Sequence, residues 1–216
     1  GTLTYKWYFG DGDSALTTEA KHKYAADGTY NVTLVATSAY GCIDVKTRSV
    51  RVYPKPTPNF TAASVCLGNA TVFNNTSTVT SGTVSLANWD FGDGTSSSVF
   101  NPTHTYATAG TFNVTMTVFT DKGCSNVITK SVTVYSLPAS KITVTGTPTF
   151  CPGSNATLQV TNVAGNTYAW TRDNINTGTN TNTLTVTQGG LYKVRVTNAN
   201  GCITEDSIRI TVFPQA

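Results

Sequence analysis

The chain has 216 residues, of which only 12% are charged, with 14 Lys and Arg against 11 Asp and Glu for a net charge of +3. That basic excess is small and scattered, lacking the clustered stripe that phosphate neutralisation needs, so nucleic acid is not an expected partner. No run of about 18 apolar residues and no basic, apolar, small-residue leader occurs within it, so membrane insertion is not expected in this stretch and any secretion signal would lie outside it.

Thr, Asn, Gly, Ser and Val dominate while Met and His are scarce, which favours strands joined by polar turns. In chain order, strands are predicted over 29–36, 111–119 and 191–197, where apolar and polar residues alternate with period two. Each run is preceded by a glycine (Gly28, Gly110, Gly190) and followed by a Gly-Cys pair ending at Cys42, Cys124 or Cys202. No helical period is sustained anywhere.

The same unit therefore recurs. A shift of 82 residues lays Trp7 on Trp89, Phe9-Gly-Asp-Gly12 on Phe91-Gly-Asp-Gly94, His22 on His104, Tyr24 on Tyr106 and Cys42 on Cys124 without a gap, with roughly 22 identities over residues 7–53. The third unit keeps Trp170, Gly190, Tyr192 and Cys202 but lacks the Phe-Gly-Asp-Gly turn and the His-x-Tyr pair. The expected architecture is all-β: three tandem Ig-like sandwiches over 1–54, 58–136 and 139–214, the first without its initial strands. Prolines in the linkers at 52–58 and 134–138 should hold successive domains extended, giving an elongated, semi-rigid rod.

Two pairs of cysteines bracket a repeat: Cys66 and Cys124 the second, at a separation of 58, and Cys151 and Cys202 the third, at 51. Each pair reads as a staple from first strand to last hairpin, of the kind small extracellular β domains use. By the same spacing Cys42 would find its partner before Gly1. Without any Cys-x-x-Cys, and with both histidines remote from the cysteines, a zinc site is disfavoured.

Within each repeat, Trp89 and Phe91 should alternate inward before Gly92-Asp-Gly94 reverses the chain. His104 and Tyr106, two apart, should share a strand face. Trp89-Asp-Phe-Gly-Asp-Gly94, Asn101-Pro-Thr-His-Thr-Tyr106 and Gly110-Thr-Phe-Asn-Val-Thr115 together resemble the PKD (polycystic kidney disease) domain. Trp7, Phe9, Asp11, Gly12, His22 and Tyr24 resemble a second copy, departing from it at Tyr8 and Ala20, where the first motif has Asp90 and Pro102. The third domain is similar to Ig-like modules that follow PKD repeats in secreted bacterial proteins. The combination resembles very large surface proteins and gliding adhesins of Bacteroidota, which implies type IX secretion. It also makes Asp13-Ser-Ala15 and Asp206-Ser-Ile208 candidate O-glycosylation sequences at Ser14 and Ser207.

A catalytic reading of Asp90, Asp93 and His104 is disfavoured, because the set recurs in tandem and sits on motifs explained by turn geometry and packing. Asp11, Asp13, Asp90 and Asp93 gather carboxylates near the turns, a weak calcium candidate short of the six or more oxygens that ion takes. No other cofactor or metal is expected. Trp7, Trp89 and Trp170 are expected in cores, whereas Tyr5, Tyr8, Tyr40, Phe100 and Tyr168 are freer to stack on a sugar.

Three functions follow. The leading one is a non-catalytic stalk segment of a secreted, cell-surface adhesin or filament, whose partners are other domains of the same chain. The second is an ancillary polysaccharide-binding module of an extracellular hydrolase. The third is a protein-binding or self-assembling segment that accepts a strand along an open edge at Tyr5 to Phe9.

Overall fold

The computed structural model describes residues 1–214 and is built from strands alone. In the first repeat β1 (Leu3–Tyr8), β2 (Ser14–Ala15), β3 (Gly28–Ser38) and β4 (Ile43–Val52) form one antiparallel sheet in the order β2-β1-β3-β4. The second repeat contains β5 (Phe60–Ala62), β6 (Val65–Cys66), β7 (Thr71–Asn75), β8 (Val84–Asp90), β9 (Ser96–Ser97), β10 (Thr103–His104), β11 (Gly110–Thr120) and β12 (Ser125–Tyr135). They make a three-stranded sheet, β10-β7-β5, and a five-stranded one, β6-β12-β11-β8-β9. The third repeat contains β13 (Thr143–Thr145), β14 (Thr149–Phe150), β15 (Ala156–Gln159), β16 (Thr167–Arg172), β17 (Ile175–Asn176), β18 (Thr183–Val186), β19 (Gly190–Thr197) and β20 (Ile203–Val212). Its sheets, β13-β15-β18 and β14-β20-β19-β16-β17, reproduce the three-plus-five pattern.

By packing, the chain divides into two compact units. One comprises Gly1–Thr61, Asn74–Pro102 and Val114–Lys130; the other comprises Ala62–Phe73, Thr103–Asn113 and the chain from Ser131 onward.

Alternation explains the cores. Along β11, Val114, Met116 and Val118 are fully buried while their neighbours are not, as a strand with one wet face requires. Trp89 meets Phe60 edge to face at 5.1 Å. In the third repeat Trp170, Leu158, Val194 and Val196 centre a continuous apolar cluster. Tyr168 lies two residues before Trp170 on β16 and therefore faces inward with it; the sequence expectation of a freer Tyr168 is corrected, since the side chain is 6% exposed. Its hydroxyl accepts a hydrogen bond from the Val163 amide (3.1 Å) and donates to the Thr161 carbonyl (3.2 Å).

The first repeat differs because it has a single sheet. Phe9 is buried, but Trp7, expected in a core, is half-buried and lines an open apolar groove of about 250 Å³ with Val32, Leu34 and Val50.

The cysteine pairing is the largest correction. Cys66 is joined to Cys202, with Cα atoms 5.6 Å apart, and Cys42, Cys124 and Cys151 are free. Neither expected staple forms, because the second strand of each of these repeats, two residues long, pairs in parallel with the far end of its last strand. Val65 and Cys66 pair with Val134 and Tyr135, and Thr149 and Phe150 pair with Thr211 and Val212. Cys124 and Cys202 stand at the opposite ends of β12 and β20. At about 3.3 Å per residue that leaves roughly 35 Å within each expected pair, far beyond the Cα separation of about 7 Å that a disulfide can bridge.

Candidate functional site

The Phe-Gly-Asp-Gly turn of the first repeat shows what its residues do. After β1, Gly10 takes φ +84° and presses against the Asn31 backbone, where a Cβ would lie 2.8 Å from the carbonyl oxygen. The turn closes through Phe9 N–H to the Asp13 carbonyl at 3.1 Å. Asp11 is used inside the turn: Oδ1 accepts the Asp13 amide (3.2 Å) and Oδ2 meets His22 Nε2 at 2.6 Å. That contact with His22, aided by the Asp13 amide and outweighing desolvation, holds the Asp11 carboxyl below its ordinary pKa of 3.8.

Above it runs an aromatic stack. Phe9 lies parallel to His22 at 4.1 Å, His22 meets Tyr24 edge to face at 4.6 Å, and Tyr24 stacks on Tyr30 at 4.1 Å. The Tyr24 hydroxyl donates to the Phe9 carbonyl (3.0 Å), tying the stack to the turn, and desolvation raises its pKa above 10.0. Thus Asp, His and Tyr, a set that invites a catalytic reading, serve here to clasp a turn against a strand.

The second repeat builds the same corner. Asp90 Oδ1 accepts the Gly92 amide (2.9 Å), and Asp93 Oδ1 accepts the amide (3.0 Å) and hydroxyl (2.6 Å) of Thr95. Gly94 takes φ +88°, as Gly12 takes φ +100°. His104 meets Tyr106 edge to face at 4.5 Å, and Tyr106 stacks on Phe112 at 4.0 Å. All three tryptophans share one role: the indole N–H of Trp7, Trp89 and Trp170 donates to the carbonyl of Thr17, Val99 and Thr181 at 3.1, 3.0 and 2.9 Å.

Of the calcium candidates, Asp11 and Asp13, together with His22, place one donor atom each within 4.8 Å of one another. Three donors, two from an Asp and a His already hydrogen-bonded to each other, fall short of the six to eight oxygens calcium takes. The aromatics expected to be free do not form one row on the first sheet: the half-buried Tyr5 and the exposed Tyr8, three apart on β1, lie on opposite faces, and Tyr40 is at a hairpin tip. At the edge considered for strand addition, β2 already pairs with Trp7 and Tyr8, while β3 pairs with the whole of Leu3–Tyr8 from the other side. Ser14 and Ser207 are both exposed.

A feature missed in the sequence concerns the linkers. The residue two after a hairpin cysteine holds a linker proline carbonyl in two repeats: Asn126 Nδ2 donates to Pro56 (3.0 Å) and Thr204 Oγ1 to Pro138 (2.6 Å). The Cys124 thiol lies 3.7 Å from the Tyr53 carbonyl, and Asn198 Nδ2 donates to Ser136 at 2.9 Å. Their shared position after Gly-Cys was the available signal.

Comparison with known proteins agrees with this geometry. The family model for the PKD domain matches residues 1–52 and again 53–135. The chain belongs to the PKD domain family. Its third repeat, residues 138–214, matches the family model of the CHU_C-associated Ig-like domain. Among solved structures, the PKD1 domain of Vibrio anguillarum Epp is 32% identical, with 39% of this chain and 99% of that one covered at a TM-score of 0.37. The PKD1 domain of the Vibrio cholerae metalloprotease PrtV is 30% identical, covering 38% and 98% at a TM-score of 0.33. PKD and Ig-like domains are non-catalytic module types and typical of extracellular proteins. No helix among the described residues is long and apolar enough to cross a membrane.

Proposed function

We propose that this chain is a non-catalytic stalk segment of a large secreted protein that stays on the cell surface as an adhesin or filament. The observation that carries the reading is the Cys66–Cys202 disulfide, which locks a PKD module to the Ig-like module after it instead of stapling either one internally. Such a bond suits an oxidising compartment and a chain that must resist being pulled apart. The catalytic-looking residues are taken up in clasping turns, which supports a structural role. Type IX export and glycans on the exposed Ser14 and Ser207 belong to the same proposal, resting on likeness to surface proteins of Bacteroidota.

Single-molecule stretching tests it. With the bond intact, the span from Cys66 to Cys202, a separation of 136 residues, cannot be drawn out; reduction should release roughly 450 Å of further extension at about 3.3–3.6 Å per residue. Equal extension before and after reduction would remove the mechanical argument. Antibody against the chain should label intact, unpermeabilised cells of the producer, and a purely intracellular signal would overturn the surface assignment. Pelleting of the chain with cellulose, chitin or xylan would instead favour the ancillary polysaccharide-binding role.

A further inference from the structure

The bonded pair Cys66–Cys202 has three structural counterparts among the free cysteines, one for Cys66 and two for Cys202. Cys66 opens a turn in which the Asn69 amide donates to its carbonyl (3.0 Å) and Gly68 takes φ +90°. Cys151 opens the same turn: the Ser154 amide donates to its carbonyl (3.2 Å) and Gly153 takes φ +89°. Cys66 ends, and Cys151 directly follows, a two-residue strand that pairs in parallel with the end of the module's last strand. On the other side, Cys202 closes a hairpin in which the Asn198 amide donates to its carbonyl, the Gly201 amide returns to Asn198, and the Cys202 amide meets Asn198 Oδ1. Cys124 repeats this with Thr120, and Cys42 with Ser38, the side-chain hydroxyls accepting the cysteine amide at 3.2 and 3.1 Å.

The free cysteines are therefore of two kinds, both seen bonded once in this molecule. We propose that Cys151 forms an intermodular disulfide with the Gly-Cys hairpin of a further module of this type seated after the third, so that the Cys66–Cys202 link is one rung of a repeating ladder. Three observations carry it. Cys151 is exposed, its turn superimposes in hydrogen bonding on the turn of Cys66, and it adjoins the C-terminal end of β20 as Cys66 adjoins the C-terminal end of β12. Cys42 and Cys124 are the complementary half: in the second module the hairpin holds the preceding linker through Asn126, as the bonded hairpin holds its own through Thr204. The inference shares the Cys66–Cys202 bond with the stalk reading and is tested separately from it, at Cys151.

The bond forms by exchange with a small-molecule disulfide. The Cys151 thiolate displaces one thiol to give a mixed disulfide, and the hairpin thiolate then displaces the second. One S–S bond forms and one breaks, and the two cysteines' protons and electrons leave on two released thiols.

The test joins a second copy of residues 53–214 to the end of the full 216-residue chain, placing a Gly-Cys hairpin after Cys151 at nearly the 136-residue separation that joins Cys66 to Cys202. The protein is refolded in oxidised and reduced glutathione, free thiols are alkylated, and unreduced peptides are mapped by mass spectrometry. The expected result is a peptide joining Cys151 to Cys124 of the appended copy, with alkylation of Cys151 falling at least about tenfold below its level in the unextended chain. Cys151→Ser should restore alkylation of the appended Cys124. The Cys66–Cys202 link in both copies is the internal control for folding and oxidation. Cys151 left alkylatable while that control forms, or joined to a cysteine elsewhere, overturns the proposal.

Discussion

Replacing Cys66 by Ser removes the one cross-link among the described residues and leaves the 1%-exposed Cys202 as a thiol. In the chain-entropy account, closing a loop of 136 residues disfavours the unfolded chain by about 5 kcal/mol; with the second module still folded the flexible part shortens and the figure falls to about 4 kcal/mol. The loss should appear in the third module. For a module of some 75 residues, with an unfolding entropy near 2 cal/mol/K per residue, it corresponds to a fall in midpoint of about 25 °C. Each repeat carries one tryptophan, Trp7, Trp89 and Trp170, so 19F NMR of 5-fluorotryptophan-labelled protein follows the three transitions separately. The Trp170 transition should move down in Cys66→Ser and in reduced wild type alike, whereas Cys124→Ser and Cys151→Ser leave it in place. A Trp170 midpoint within about 2 °C of wild type in the Cys66→Ser protein would refute the loop argument.

Three further outcomes are expected. Tyr168→Phe strands the Val163 amide and Thr161 carbonyl and should cost about 1–3 kcal/mol in urea denaturation; a loss under about 0.5 kcal/mol would mean that water replaces the hydroxyl. Gly10→Ala places a Cβ 2.8 Å from the Asn31 oxygen at φ +84° and should destabilise the first module by about 2 kcal/mol or more, with Gly12→Ala, whose Cβ meets open space, costing clearly less; equal effects would show that the close approach is relieved by backbone movement. Because the Asp11 pKa is depressed in the folded state, mainly by His22, its contribution to stability is present above the unfolded carboxylate range and is lost as pH falls through the folded pKa. Asp11→Asn should therefore flatten the acid-side loss of the Trp7 transition below about pH 4 while leaving the neighbouring transitions alone, and an unchanged acid profile would contradict that.

Much of the fold was legible because the repeat carries its own signals. Period-two runs gave β3, β11 and β19, glycine pairs gave the turns, and an ungapped internal match tied Trp7 to Trp89. Cysteine connectivity was not legible, because it depends on strand pairing and not on separation in sequence. Nothing in the spacing of Cys66 and Cys124 reveals that β6 runs parallel to the far end of β12, and that register alone puts the two thiols at opposite ends of the sandwich. The burial of Tyr168 has a different cause: two residues before Trp170 on β16, it shares that residue's inward face. The half-burial of Trp7 reflects its single sheet, since the matched Trp89 is packed against Phe60.

The most direct test of the account is disulfide mapping of the 216-residue chain, alkylated before unfolding and digested without reduction. The structure predicts one linked peptide pair, Cys66 with Cys202, and alkyl groups on Cys42, Cys124 and Cys151. Peptides linking Cys66 to Cys124 and Cys151 to Cys202 would contradict it, returning each staple to its own module and removing the covalent link between successive modules on which the proposed stalk depends.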